Sequence, residues 1–180
     1  MKTASLLLVL LFIAACQGPQ VRDQNSPYYI PPVGSKLALN QTITIPAHTA
    51  SVFIQGGRVA PDRAFNPVNQ YYTNCKFEVR DVKDVPQTVL PDEFTVERVR
   101  QIQTTVALAF PLLADAGGGA EDGGPAMQRW GIEFYLNSAK QPDVLRLTCQ
   151  HVVHGYEGRN PTFSEISKTL GPVFTWKPAP

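Results

Sequence analysis

CKFEVRDV, residues 75–82, carries the clearest strand pattern of the chain. Apolar and charged side chains alternate along it, so an extended backbone places them on opposite faces. The apolar face holds Cys75, Phe77 and Val79, and the charged face holds Lys76, Glu78 and Arg80. This alternation is typical of a half-buried strand in an antiparallel sheet.

Similar short runs lie on both sides of this segment. The pattern predicts further strands at residues 36–45, 51–55, 87–90, 94–102, 127–137, 144–153 and 173–176. The first two of these runs are predicted to pair as a hairpin, and residues 58–72 are predicted to be a loop. The alternation changes phase within the run that starts at Phe94, so a β-bulge is predicted at Glu97 and Arg98.

The two longest runs after the bulge each have one strongly apolar face. The buried positions predicted from this alternation are Trp130, Ile132, Phe134 and Leu136 in the first run and Leu145, Leu147 and Cys149 in the second. These side chains are therefore expected to form much of the core.

One helix is predicted near the end of the chain. TFSE at residues 162–165 has the spacing of a capping box, in which Thr162 and Glu165 bond to each other's backbone. Gly171 and the proline after it end the helical pattern. Together with the strands, this predicts an all-β fold, mainly an antiparallel sandwich or a partly open barrel, with one short C-terminal helix.

The beginning of the chain has the layout of a secretory signal. Lys2 supplies a positive charge, an apolar run follows, and two small residues precede Cys16. The apolar run is shorter than the roughly 20 residues that a membrane span needs. The sequence IAAC at residues 13–16 resembles the lipobox of bacterial lipoproteins, a family in which the cysteine is lipidated and becomes the mature N-terminus.

This resemblance implies that Cys16 carries a diacylglyceryl group and an N-acyl chain, which anchor the protein in membrane lipid. Gln17 follows the cysteine, which in that family implies an outer-membrane location facing the periplasm. The resemblance divides the chain into a signal peptide at residues 1–15, the lipidated cysteine with a proline-rich tether at residues 16–33, and a single β-rich periplasmic domain at residues 34–180.

The tether is expected to be mostly disordered or polyproline-like, because it is polar, rich in proline and without periodicity. An alternative is that Tyr28, Tyr29 and Ile30 dock onto the domain, so that the folded part begins before Gly34.

Two cysteines remain once Cys16 is assigned to the lipid. An even number of cysteines in an oxidising compartment predicts one disulfide, between Cys75 and Cys149. Both cysteines fall on apolar strand faces, which favours a structural bridge inside the core over a redox site.

No motif for catalysis, metal binding or cofactor binding stands out in the sequence. The pattern Cys149, His151, His154 would suit zinc only if the chain turned after the strand, so polar residues at a strand end are the favoured interpretation. The glycine-rich residues 117–124 lack the lysine of a phosphate-binding loop. The net charge of +1 provides no basic field for nucleic acid.

The sequence thus favours a non-enzymatic binding or assembly module of the bacterial envelope, with Tyr71 and Tyr72 as its candidate contacts to a protein partner. One alternative is a carrier that holds a lipid, sugar or peptide in an apolar cavity of the barrel. A hydrolase or redox enzyme is a minor alternative. No metal and no cofactor are predicted.

Overall fold

The computed structural model describes residues 21–61, 68–106 and 127–179. Within these residues the chain forms ten strands, one α-helix and one 3₁₀ turn. The strands are β1 (Lys36–Leu39), β2 (Ile43–Ile45), β3 (Ser51–Gln55), β4 (Arg58–Pro61), β5 (Asn74–Val79), β6 (Gln87–Val89), β7 (Asp92–Val106), β8 (Met127–Asn137), β9 (Val144–His154) and β10 (Phe174–Lys177). The helix, α1, is Phe163–Leu170, and the 3₁₀ turn is Gly155–Glu157.

Eight strands form one antiparallel sheet in the order β10-β1-β7-β8-β9-β5-β3-β4, while β2 and β6 pair separately. The large sheet curls into a half-barrel. The predicted all-β class with one short C-terminal helix is confirmed, and of the two architectures considered the half-barrel corresponds to the partly open barrel.

The helix α1 contacts both ends of the large sheet. It packs against β10 at one end and against β3 and β5 near the other. Its start is the predicted capping box, because Thr162 Oγ1 accepts a hydrogen bond from Glu165 N and Glu165 Oε2 accepts one from Thr162 N, at 3.2 and 2.8 Å. The buried side chains of α1 face the sheet, so the helix covers the open side of the half-barrel.

The core fills the space between the large sheet, α1 and the β2–β6 pair. Phe77 lies at its centre, with ring centroids 6.3 Å from Phe94 and 5.4 Å from Phe174. Cys75 and Cys149 face each other across β5 and β9 and form a disulfide, with Cα atoms 4.0 Å apart and no solvent exposure. The predicted bridge inside the core is therefore confirmed.

The predicted hairpin between residues 36–45 and 51–55 is wrong. The first run is two strands, of which β1 pairs with β7 and β10, and β2 pairs with β6. The turn before β3 does not close a hairpin. Its backbone binds the segment between β5 and β6, where Lys83 O accepts a hydrogen bond from His48 N at 2.8 Å. The strand β3 pairs instead with β5 and with β4, which lies within the predicted loop at 58–72. Gly56 and Gly57 both have positive φ, which the type I′ turn of a two-residue hairpin requires.

The phase change in β7 is a bulge, as predicted. The pairing of β7 with β8 shifts between Val96 and Arg98, so Val99 returns to the core side. A second shift between β5 and β9 was not predicted. Because of this shift, Val144 belongs to the core cluster, where Leu145 was expected. Leu145 is half-buried outside that cluster.

Trp130 departs from its predicted core position. It shares the face of Ile132 and Phe134, but it is only half-buried. The indole ring of Trp130 packs against Gly158, where an added Cβ would lie 2.5 Å from the ring. Trp130 therefore lies outside the core cluster.

Part of the predicted tether lies against the domain. Ser164 N, in the first turn of α1, donates to Gln24 O at 3.2 Å. The ring of Tyr29 packs edge-on against Phe163 at 5.5 Å, and Pro31 is buried. Ordered contacts therefore begin before Gly34, as the docking alternative expects.

Candidate functional site

A polar cleft of about 370 Å³ lies on the face of the large sheet opposite the core. The alternation that buries one face of each strand leaves charged and amide side chains on the other. The residues that line this polar cleft include Phe53, Asn74, Lys76, Glu78, Arg100, Ile102, Thr104, Arg129, Glu133, Arg146, Thr148 and Gln150. They come from five neighbouring strands, β7, β8, β9, β5 and β3.

Arg146 joins the two carboxylates of the polar cleft. Its Nε lies 2.6 Å from Glu78 Oε2, and its Nη1 lies 3.2 Å from Glu133 Oε1. Arg100 Nε binds the other oxygen of Glu133 at 2.7 Å. The result is a chain of four alternating charges across four adjacent strands, β7, β8, β9 and β5.

Neutral groups complete this ion network. Thr148 Oγ1 donates to Glu78 Oε2, and the hydroxyl of Tyr135 donates to Glu133 Oε2, both at 3.2 Å. Only 6% of the Glu133 side chain is exposed, and burial of an unpaired carboxylate would cost several kcal/mol. The two arginines and Tyr135 offset that cost.

The network fixes the charge state of its arginines. The hydrogen bond from Arg146 to Glu78 is the main cause of a raised pKa for Arg146, and Glu133 likewise raises the pKa of Arg100. Both guanidinium groups therefore stay protonated at any pH at which the protein is folded. Proton transfer is not a chemistry that these arginines can offer.

Gly131 lies in the middle of β8, between Arg129 and Glu133. Its cross-strand neighbours are Ile102 on β7 and Gln150 on β9. A Cβ at this position would lie 2.8 Å from Cys149 O and 2.9 Å from the Cβ of Gln150, so the backbone packing excludes any side chain. On this face of β8, Gly131 separates the ion network from Arg129 without adding a side chain.

Tyr71 and Tyr72, the predicted partner contacts, lie beside the polar cleft. They are 54% and 70% exposed. Their loop is held at both sides, because Gln70 O accepts a hydrogen bond from Val152 N at 2.8 Å and the Gln55 amide binds both backbone groups of Asn69 at 2.9 Å. The two tyrosines are thus exposed side chains on an anchored loop.

A second cleft, the tyrosine cleft, is lined by Tyr71, Tyr72, Thr73, His151, Val153, Glu157, Arg159 and Glu165, and has a volume of about 480 Å³. His151 lines both clefts. Its Nε2 donates to Arg159 O at 2.8 Å, and burial lowers its pKa, so the ring is neutral at pH 7. On the other side of the tyrosine cleft, Arg159 and Glu165 form an ion pair at 2.6 Å.

The structure does not bring Cys149, His151 and His154 together as zinc binding would require. Cys149 is bonded to Cys75, His151 binds the carbonyl of Arg159, and His154 stacks on Tyr156 at 5.7 Å. No cluster of three or more residues of the metal-binding types occurs in the described part of the chain. Cys16 and the glycine-rich residues 117–124 lie outside that part.

Sequence reasoning missed the ion network. Its signal was present, because Glu133 interrupts an apolar run between Ile132 and Phe134, where a buried carboxylate needs a partner. The partners Arg100 and Arg146 could not be chosen without knowing which strands pair and in which register.

In the ranges 21–61, 68–106 and 127–179, no helix combines the length and the hydropathy that crossing a membrane requires.

No protein-family model matches the chain, and neither the curated proteins nor the solved structures contain a significant match to it.

Proposed function

We propose that this protein is a non-enzymatic binding or assembly module of the bacterial envelope. It would be anchored to the outer membrane by a lipid on Cys16, with its domain facing the periplasm. The observation that carries the proposal is the pair of exposed tyrosines on an anchored loop beside a charged cleft. The partner would be another envelope protein.

The physical properties of this surface suit protein recognition. Tyrosine provides a large apolar contact area and a polar hydroxyl, and it loses little conformational entropy on binding because it has two rotatable bonds. The hydrogen bonds of Gln55 and Gln70 order the loop before a partner arrives. A pre-ordered aromatic loop loses less freedom on binding than a disordered one.

The carrier alternative needs an apolar cavity inside the half-barrel. The corresponding space is occupied by large side chains without solvent exposure, among them Phe77, Phe94, Phe134 and Leu147. The clefts described above lie on the surface. This packing gives the carrier alternative less support than the binding module.

The minor alternative of a redox enzyme also has little support from the geometry. Cys75 and Cys149 have no solvent exposure. A catalytic thiol pair must be reached by its substrate, so these positions suit a structural bridge better.

A site-specific photo-crosslinker tests the proposal. Placed at Tyr72 in living cells, it is expected to capture a discrete envelope protein. The matched control is position 85, where Val85 is 63% exposed at the opposite end of β5. Crosslinking should disappear in Cys16→Ala, because the unanchored protein leaves the membrane layer where the partner resides.

Equal capture from positions 72 and 85, or no discrete product from position 72, would contradict the proposed surface. A product that persists in Cys16→Ala would contradict the need for the anchor and leave the surface itself supported.

A further inference from the structure

We infer that the polar cleft contains a binding site for a carboxylate group, with Arg129 as its principal ligand. This inference rests on the proposed binding function and names the chemistry of the group that the partner presents. The site is the part of the polar cleft that is lined by Arg129, Gln150 and Thr104, which come from three adjacent strands.

Arg129 differs from the other cations of the cleft. Arg100 and Arg146 bind Glu133, and Lys76 lies 3.6 Å from Glu78. Arg129 is half-buried, and no residue in the described ranges forms an ion pair or a hydrogen bond with its side chain.

The register of the sheet gives Arg129 no acidic partner among its described cross-strand neighbours. Its direct cross-strand neighbours are Thr104 on β7 and Val152 on β9, neither of which is acidic. Glu133, the nearest carboxylate on the same face of β8, is four residues away, a distance of roughly 13 Å along a strand. That distance exceeds the reach of an ion pair, and Glu133 is already bound by two arginines.

The strands on both sides of Arg129 offer additional donors. The amide of Gln150 and the hydroxyl of Thr104 have no hydrogen-bond partner among the described side chains and backbone groups. Gln150 is opposite Gly131, and Thr104 is opposite Arg129. A carboxylate accepts about four hydrogen bonds, two of them from one guanidinium, so these three side chains match its capacity.

The charge of the cleft favours an anion. Four cationic side chains and two carboxylates line it, so its net charge is +2. Among the described residues, Arg129 is the one cation of the cleft without a carboxylate within ion-pair distance. A single carboxylate can therefore bind an unpaired guanidinium in a positively charged cleft. A phosphate dianion would bring a second charge towards the fixed Glu133 and Glu78, which repel it.

The size of the cleft allows the carboxylate to belong to a side chain or a chain end of a protein. Ile102 on β7 adds apolar surface close to Arg129, and Phe53 on β3 adds it at the other side of the cleft. A partner segment can therefore place a carboxylate on Arg129 while neighbouring carbon atoms contact these side chains. A free small acid would gain the ion pair without the apolar contacts.

NMR titration of the full chain in non-ionic detergent tests the inference. The probes are a blocked pentapeptide with one central glutamate, the same peptide with glutamine, sodium acetate, and inorganic phosphate. The protein variants are the unsubstituted chain, Arg129→Gln, and Arg98→Gln. Arg98 is the matched control because it is an arginine of the same face that stacks on Tyr135 at 3.7 Å.

The glutamate peptide is expected to shift the Arg129 Nε–H and Gly131 signals and to bind at least about tenfold more tightly than the glutamine peptide, since a charge-assisted hydrogen bond contributes about 1.5–3 kcal/mol. Arg129→Gln should abolish the difference, and Arg98→Gln should retain it. If acetate shifts the same signals and binds as tightly as the glutamate peptide, the carboxylate site is supported and its ligand is a small acid.

Equal binding of the two peptides, an unchanged difference in Arg129→Gln, or tighter binding of phosphate than of acetate would overturn the inference. The result is separable from the proposed function. If position 72 crosslinks to a partner but the glutamate peptide is not preferred over the glutamine peptide, only the carboxylate site is overturned. If the glutamate peptide is preferred but position 72 crosslinks to no partner, only the proposed partner surface is overturned.

Discussion

Two charged residues of one strand face have opposite surroundings. Glu133 and Arg129 both point away from the core on β8, yet Glu133 is bound by Arg100, Arg146 and Tyr135 whereas Arg129 has none of these contacts. Gly131 is the one residue between them on this face of β8, and it has no side chain that could bridge them. Position within the register, and not residue type, determines which charge is neutralised.

At Gly131 we predict a steric penalty. Gly131→Ala should lower the free energy of unfolding by about 1–3 kcal/mol, since the new methyl group would overlap Cys149 O and the Cβ of Gln150. Urea denaturation measures the change. Thr104→Ala, on the exposed face of the neighbouring strand, should change stability by less than about 0.5 kcal/mol. Equal effects would show that the close packing at Gly131 is not restrictive.

Glu165 gives a prediction about pH. Its ion pair with Arg159 and its bond from the backbone of Thr162 lower its pKa from 4.5 to about 2. The folded state therefore holds the ionised form more strongly than the unfolded state does. The resulting stabilisation is complete above pH 4.5 and is lost as the pH falls towards 2.

The measurement is thermal unfolding between pH 7 and pH 2. The unsubstituted protein should lose stability more steeply below pH 4.5 than Glu165→Gln, which keeps the shape of the capping residue without its charge. Identical pH profiles of the two proteins would contradict a role for the Glu165 carboxylate in stability.

At the level of elements, strand faces were predictable and strand partners were not. Alternation in residues 75–82 identified the buried face of β5, and the phase change at Glu97 identified the bulge of β7. Both are local properties of a few neighbouring residues. The helix α1 was predictable for the same reason, because its capping box lies within four residues.

Pairing depends on contacts between distant parts of the chain. Arg146 and Glu78 are 68 residues apart, and β1 reaches β10 across most of the domain. The pairing of β3 with β4 was local, but its Gly-Gly turn was interpreted as the end of a strand. The ion network required three correct registers at once, so it lay beyond what alternation can supply.

The disulfide joins two of these distant elements. It links β5 and β9 across a sequence separation of 74 residues, so in the chain-entropy account it stabilises the fold by roughly 4 kcal/mol. Reducing agent should therefore lower the free energy of unfolding of the unsubstituted protein by about that amount. Denaturation with and without reductant measures it.

The control is the double variant Cys75→Ala with Cys149→Ala, which has no bridge to reduce. Its stability should be the same with and without reductant. A reductant effect of similar size in the double variant would assign the loss to another cause.

At the scale of the whole molecule, one helix covers the gap that the curled sheet leaves. The helix α1 contacts β10 at one end of the sheet and β3 and β5 near the other. It connects parts of the sheet that share no backbone hydrogen bonds with each other. The fold consequently keeps one core although its barrel is not closed by strands.

The contact between Gln24 and the start of α1 also limits how far the domain can travel. Eight residues separate Cys16 from Gln24, and a fully extended chain of that length spans at most about 28 Å. If Cys16 carries the proposed lipid, the domain moves only within a thin layer next to the bilayer. Confinement to such a layer raises the local concentration of any partner in the same membrane and excludes partners held farther away.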